Sequence, residues 1–133
     1  MIFLDASFIV AYANADDQHH GRAMELAGEI DGGAHGERAV SEYVLDEVTT
    51  ALLSRTKSHE LAVSTGRELM GMLFIRQEPW LLERTWEIFS AQKKPYISFT
   101  DCNTIAVCEQ AGITELATFD DRLAEKSGLV IIR

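Results

Sequence analysis

Two acidic residues of this 133-residue chain stand directly after short apolar runs: Asp5 after Ile2-Phe3-Leu4, and Asp120 after Leu116-Ala117-Thr118-Phe119. A continuous apolar run of that length is expected of a strand buried on both faces. In open parallel α/β sheets, ligands bind outside the carboxyl ends of the strands, and both carboxylates would project into that crevice. Each also has a plainer reading, because an acid after a strand often caps the next helix. Glu47 carries a different signal. On a helix over 41–55, Val44, Leu45, Val48, Ala51 and Leu52 share one apolar arc, and Glu47 falls inside it while Glu42 and Asp46 point away. A carboxylate on a buried stripe needs a partner, which is either a core arginine, water at the edge of the arc, or a cation. Asp101 opens a further helix behind Ser98 and Thr100, where the helix dipole already favours an acid. Glu109, on the same helix, is either a fifth acid near a site or half of a surface ion pair.

If Asp5, Glu47, Asp101 and Asp120 converge, their mutual repulsion calls for cations. Oxygen-only ligands suit Mg²⁺ or Mn²⁺ rather than a structural zinc. The matching chemistry is hydrolysis of a phosphodiester, in which the ion activates water and no protein nucleophile is needed. The composition bears on this directly. The formal charge is −9, from 21 acidic and 12 basic side chains. Such a surface repels nucleic acid, whose binding rests largely on Lys and Arg at phosphates. That objection weakens if several acids sit together and hold cations, because the ions invert the local field.

The elements that must position these acids alternate along the chain. Strands are expected at 2–4, 37–40, 72–76, 115–119 and 129–133. Between them lie a short helix through Phe8, Ile9, Ala11 and Tyr12, and a second helix capped by Asp16 or Asp17 and closed by Asp31-Gly32-Gly33. Ser41 is placed to cap the helix to Arg55. Another helix spans 58–70 despite Gly66, and Pro79 starts one whose core face reads as Leu82, Thr85, Trp86 and Phe89. The helix from Asp101 stops at Gly112, and a short acidic-start helix precedes the last strand. This is the pattern of an α/β fold with a mainly parallel sheet of about five strands. With 47% hydrophobic residues, 133 residues suffice for one core, and the chain reads as a single domain over 1–133. No apolar run is long enough to span a membrane. The N-terminus lacks a basic leader and reads as strand and helix rather than a secretory signal. Cys102 and Cys108, six apart in one helix, read as reduced core thiols of a cytoplasmic protein.

"MIFLDASFIVAY", "VSEYVLDEVTTAL", "SFTDCNTIAV" and "LATFDDRL", in that order and spacing, resemble the PIN-domain ribonucleases, and most closely the VapC-type toxins of toxin–antitoxin pairs. The resemblance spans almost the whole chain. It implies a PIN-like three-layer α/β/α fold with a doubly wound sheet, and a Mg²⁺- or Mn²⁺-dependent endoribonuclease acting on RNA. It also implies Asp5, Glu47, Asp101 and Asp120 as metal-binding carboxylates, with Asp120 preferred to Asp121 because the family's last acid follows a Thr-x pair. Ser7 and Thr118 match hydroxyl positions that line such sites, holding a water or the phosphate. A homodimer and a cognate antitoxin that inserts a segment into the groove are implied as well. Asp5-Ala6-Ser7 departs from the more usual Asp-Thr-Ser or Asp-Thr-Asn, and "DDRL" stands where an aromatic often follows. Arg22, Arg38, Arg55 and Arg122 are the candidate phosphate contacts. His19 and His20 invite a general-base reading that the family's chemistry does not need.

Other classes fit the residues less well. A receiver domain wants an acidic pair after its first strand and a late lysine, and a haloacid-dehalogenase-like site wants Asp-x-Asp; Asp5 stands alone. A housekeeping PIN nuclease of RNA processing, or the same fold used as a non-catalytic binding module, would share the four acids.

Overall fold

The computed structural model describes residues 1–133. Five short strands, β1 (Ile2–Leu4), β2 (Arg38–Ser41), β3 (Leu73–Ile75), β4 (Glu115–Ala117) and β5 (Val130–Ile132), form one sheet in the order β3-β2-β1-β4-β5. Every pairing is parallel. The central strand is wholly apolar and buried on both sides: Ile2 and Phe3 have no exposed surface. Parallel strands need crossovers, and seven helices supply them on the two faces, making the three-layer, doubly wound α/β/α arrangement. The order reverses at β1, whose neighbours are β2 and β4. The crevice of such a sheet opens beside this reversal, at the carboxyl ends of β1 and β4.

Five of the seven helix starts are set by a side chain that the sequence places one residue ahead of the helix. Helix α1 (Ala6–Ala13) is capped by Asp5, α3 (Glu42–Thr56) by Ser41, and α4 (His59–Met70) by Ser58. Helix α5 (Pro79–Ala91) begins on its proline. Helix α6 (Phe99–Ala111) opens with a capping box between Ser98 and Asp101 and closes on Gly112 at φ 66. Helix α7 (Asp121–Ser127) is capped by Asp120. Gly66 is no defect in α4: a Cβ there would stand 3.3 Å from a Thr49 methyl and 3.4 Å from Leu45, so its absence lets α4 lie close to α3.

Two expectations are corrected. Helix α2 (His20–Asp31) starts after His19, not after Asp16 or Asp17; Asp17 instead accepts the His19 N–H at 2.8 Å in the preceding turn. On α5 the residues facing the core are Leu81 and Thr85, while Leu82, Trp86 and Phe89 are exposed at 46%, 60% and 36%. The apolar arc of α5 is therefore wider than the core it covers: Leu81 and Thr85 are buried, Phe89 meets Phe99 of α6 edge to face at 5.5 Å, and Leu82 and Trp86 stay exposed. The two cysteines are free and buried, and burial pushes the Cys108 thiol up to about 12, which keeps it protonated. No helix is long and apolar enough to cross a membrane.

Candidate active site

Asp5 and Asp120 flank the reversal of the sheet. Register sets their relation: Leu4 pairs with Ala117, and the Asp5 N–H donates to the Ala117 carbonyl at 3.0 Å. The residues that follow, Asp5 and Thr118, thus leave the sheet side by side. Asp5 is 3% exposed, and three hydrogen bonds hold it: the Ser7 N–H at 3.1 Å, the Ser7 hydroxyl at 2.5 Å and the Thr118 hydroxyl at 2.8 Å. All three converge on Oδ2, which leaves Oδ1 unengaged. Burial raises the Asp5 pKa, and these hydrogen bonds from Ser7 and Thr118 oppose the rise.

The same division of labour recurs in the other two aspartates. Asp101 accepts the Ser98 N–H at Oδ2 across 3.0 Å and has Oδ1 free. Asp120 accepts the Arg122 and Leu123 N–H groups at Oδ1, at 2.8 and 3.0 Å, and has Oδ2 free. Capping and site chemistry are therefore not rival explanations for these acids. One oxygen holds the backbone and the other is available. Glu47 makes no hydrogen bond through either oxygen and, contrary to the expectation of a buried stripe, its side chain is exposed at the edge of the apolar arc of α3.

Asp5, Glu47 and Asp120 line one crevice of about 300 Å³, together with Ser7, Asp17 and Arg55. Asp101 lies outside its lining yet within electrical reach. The shelter of the crevice walls, followed by the charges of Asp5, Asp101, Asp120 and Asp46, raises Glu47 from its ordinary 4.5 to about 7. Burial raises Asp101 to about 6, with Asp5 and Asp120 adding to the effect and the Ser98 N–H opposing it. None of the four acids has a Lys or Arg partner; the ion pairs of the molecule all lie on other residues. No three of these side chains are gathered into a closed coordination group. What is present is a set of carboxylates of like charge with no Lys or Arg paired to any of them, a donor set of the kind that suits a hard divalent ion.

Thr118 has no exposed surface, and its hydroxyl is spent within the protein: it donates to Asp5 and accepts the Asp120 N–H at 3.0 Å. Ser7 is likewise engaged, since its hydroxyl also accepts the Phe119 N–H at 2.9 Å. Both side chains hydrogen-bond the acids here, and Ser7 also lines the crevice. Of the arginines, only Arg55 lines the crevice. Arg22 is tied to Glu25, Glu29 and the Arg133 carbonyl, and Arg38 starts β2 at the amino end of the strands, away from the carboxyl-end crevice, paired with Asp31. Arg122 lies beside Lys94, Pro95 and Tyr96 in a separate shallow depression. Glu109 is the surface half of a two-contact pair with Arg84, at 2.9 and 3.2 Å. His20 Nδ1 lies 2.8 Å from the Ala11 carbonyl and fastens α2 to α1. His19 is in the crevice wall, stacked on Phe119 with ring centroids 4.6 Å apart and planes 8° from parallel. Nothing in the spacing of the sequence announces that pairing, or the presence of Asp17 in the wall.

Comparisons with known proteins bear on the family and the fold. The PIN domain family profile matches residues 2–129. The chain is 32% identical to the 23S rRNA-specific endonuclease VapC20 of Mycobacterium tuberculosis, in an alignment of 136 residues covering 100% of this chain and 98% of the relative. It superposes on the crystal structure of VapC20, a sarcin–ricin loop cleaving toxin, with a TM-score of 0.87 at 28% identity, over 100% of this chain and 99% of the other. PAE2754 from Pyrobaculum aerophilum shares the fold at TM-score 0.63 and 19% identity, covering 98% of this chain and 87% of that one. FitAB, in a structure bound to a DNA fragment, shares it at 0.70 and 15%, covering 99% and 94%.

Proposed function

This chain belongs to the PIN-domain family, and on that premise we propose that it is a Mg²⁺- or Mn²⁺-dependent endoribonuclease, the toxin of a VapBC-type pair. The observation that carries the reading is the set of four carboxylates, none of them ion-paired with a Lys or Arg, three of which keep one oxygen unengaged. In this reading Asp5 Oδ1, Asp101 Oδ1, Asp120 Oδ2 and the Glu47 carboxylate hold the ion. Bound there, the divalent ion supplies the charge that activates water and stabilises the phosphoryl transition state. The protein's own part is positional. Ser7 and Thr118 fix Asp5 and, through the Asp120 N–H, the next acid as well, so the strand ends present a rigid edge to the scissile phosphate. Glu47, unconstrained by hydrogen bonds, adjusts to the ligand. The exposed edge of the crevice admits a strand of RNA rather than a small enclosed molecule.

Full-length similarity to VapC20 favours ribosomal RNA of the large subunit as the substrate. The whole of 1–133 would act as one nuclease unit in the cytoplasm, as a homodimer, neutralised by a small cognate antitoxin. The exposed apolar face of α5, with Leu82 and Trp86, supports the dimer. The experiment is direct: purified protein is incubated with ribosomes and with isolated ribosomal RNA, with Mg²⁺, Mn²⁺ or chelator. Metal-dependent cleavage at discrete positions is the expected result. Intact RNA under every condition would leave the fold as a binding module. A short gene directly adjacent is the expected genomic setting of a toxin; without one, a housekeeping nuclease of RNA processing becomes the better assignment.

A further inference from the structure

We propose that Arg55 and the stacked pair His19–Phe119 form a binding subsite for the RNA strand beside the scissile phosphate, a nucleobase packing on the ring pair and a neighbouring phosphate meeting Arg55. The proposal rests on the nuclease reading above and adds to it the residues that grip the strand. Three observations carry it. Arg55 is the only Lys or Arg in the crevice lining, so it is the one cation there that a polyanion can reach. Its sole ion pair, to Asp17 Oδ2, is long at 3.9 Å, and the Arg55 side chain is 60% exposed. A contact of that kind holds the guanidinium weakly, so exchanging it for a phosphate costs little.

Geometry sets which phosphate. Glu47, Ala51 and Arg55 lie at i, i+4 and i+8 on α3, and all three face the crevice. Eight residues of helix separate Glu47 from Arg55 by about 12 Å, so Arg55 meets a different phosphate from the one held at the carboxylates. The base between them has a surface to rest on. His19 and Phe119 both line the crevice, their rings stacked face to face at 4.6 Å with Phe8 6.2 Å from Phe119, so a base would extend this stack on the outer imidazole face. Stacking of this kind accepts any base, which suits a site that binds single-stranded RNA. The Asp17 carboxylate, which accepts the His19 N–H at 2.8 Å, fixes the turn that carries the imidazole.

The test compares full-length wild type, Arg55→Gln, His19→Ala and His19→Phe in cleavage of a short single-stranded RNA oligonucleotide of mixed sequence, with Mn²⁺. Melting temperatures are measured alongside. Arg55→Gln is expected to raise KM about tenfold with kcat little changed, and to flatten the dependence of log(kcat/KM) on log[salt] by about 0.7. His19→Ala is expected to raise KM by roughly tenfold, and His19→Phe to restore it, because a phenyl ring still stacks. Wild-type KM and salt slope in folded Arg55→Gln and His19→Ala, or a His19→Phe no better than His19→Ala, would overturn the subsite while leaving the nuclease assignment standing. No cleavage by the wild type with either ion would remove both.

Discussion

The Thr118 hydroxyl donates to Asp5 Oδ2 across 2.8 Å and so ties the end of β4 to the end of β1. The same oxygen accepts the Asp120 N–H, which makes one buried hydroxyl the reference point for two acids. Thr118→Val keeps the shape and removes both bonds. It leaves the Asp120 N–H without its acceptor, at an expected cost of about 1–3 kcal/mol in urea unfolding. RNA cleavage should fall by roughly tenfold to a hundredfold, about 1.4–2.7 kcal/mol of transition-state stabilisation. A variant with wild-type stability and rate would show that the hydroxyl positions nothing.

Asp5→Asn and Asp101→Asn should each lower RNA cleavage at least about a hundredfold, about 2.7 kcal/mol, while the circular dichroism spectrum stays native. Asparagine retains an oxygen that can accept the Ser7 or Ser98 donors, so the helix starts survive. Cleavage at the wild-type rate by Asp5→Asn protein would remove that acid from the mechanism.

Stability should depend on pH in a direction opposite to that of an ion-paired carboxylate. Glu47, raised to about 7, and Asp101, raised to about 6, bind protons more tightly in the folded chain than in the unfolded one. Well below their unfolded pKa values both states are protonated and neither acid matters. As pH rises the unfolded chain ionises first, and the fold loses stability until about pH 7, beyond which the loss is constant. In chelator the melting temperature should therefore fall between about pH 4.5 and 7, and Glu47→Gln should flatten the slope. Solvent screening of the exposed Glu47 keeps its share to the order of 1 kcal/mol. A melting temperature that rises across this range, with the same slope in Glu47→Gln, would contradict the clustering.

Saturating Mg²⁺ or Mn²⁺, at ~100 times the dissociation constant, should restore about 2.7 kcal/mol at neutral pH. Calorimetric scans with and without chelator measure it directly. An unchanged scan at millimolar concentrations of both ions would count against a preformed site.

The exposed rings of α5 predict self-association. Trp86→Glu should shift the protein from dimer to monomer in light scattering at micromolar concentration, with little change in monomer folding, because Trp86 is 60% exposed. A monomeric wild type would leave this face to another partner.

Asp5 and Asp120 were legible because a buried parallel strand is a continuous apolar run, and its end is a place with known consequences. The α/β pattern followed from the same runs, and Ser41, Pro79 and Gly112 mark helix ends through local chemistry that needs no tertiary context, whereas α6 begins two residues ahead of the expected Asp101, capped by Ser98. Glu47 was legible only in part. Its angular position is right, but helical periodicity does not tell a core from a crevice, and this acid faces the crevice. The α5 face failed for a related reason: an apolar arc reports what can be buried, not whether this chain buries it. The His19–Phe119 stack, across a separation of 100 residues, has no local signature at all.

Three carboxylates of the site also begin or brace helices, and this shapes how the protein can lose its activity. On the proposed function, an alanine at Asp5 or Asp120 would silence the site and also remove a cap worth about 1 kcal/mol, giving a product that unfolds and is degraded more readily. An asparagine would silence it and leave a folded copy, still able to occupy whatever partner recognises the surface. Survivors selected against this chain should therefore divide into two kinds, those that make no protein and those that make a mute competitor.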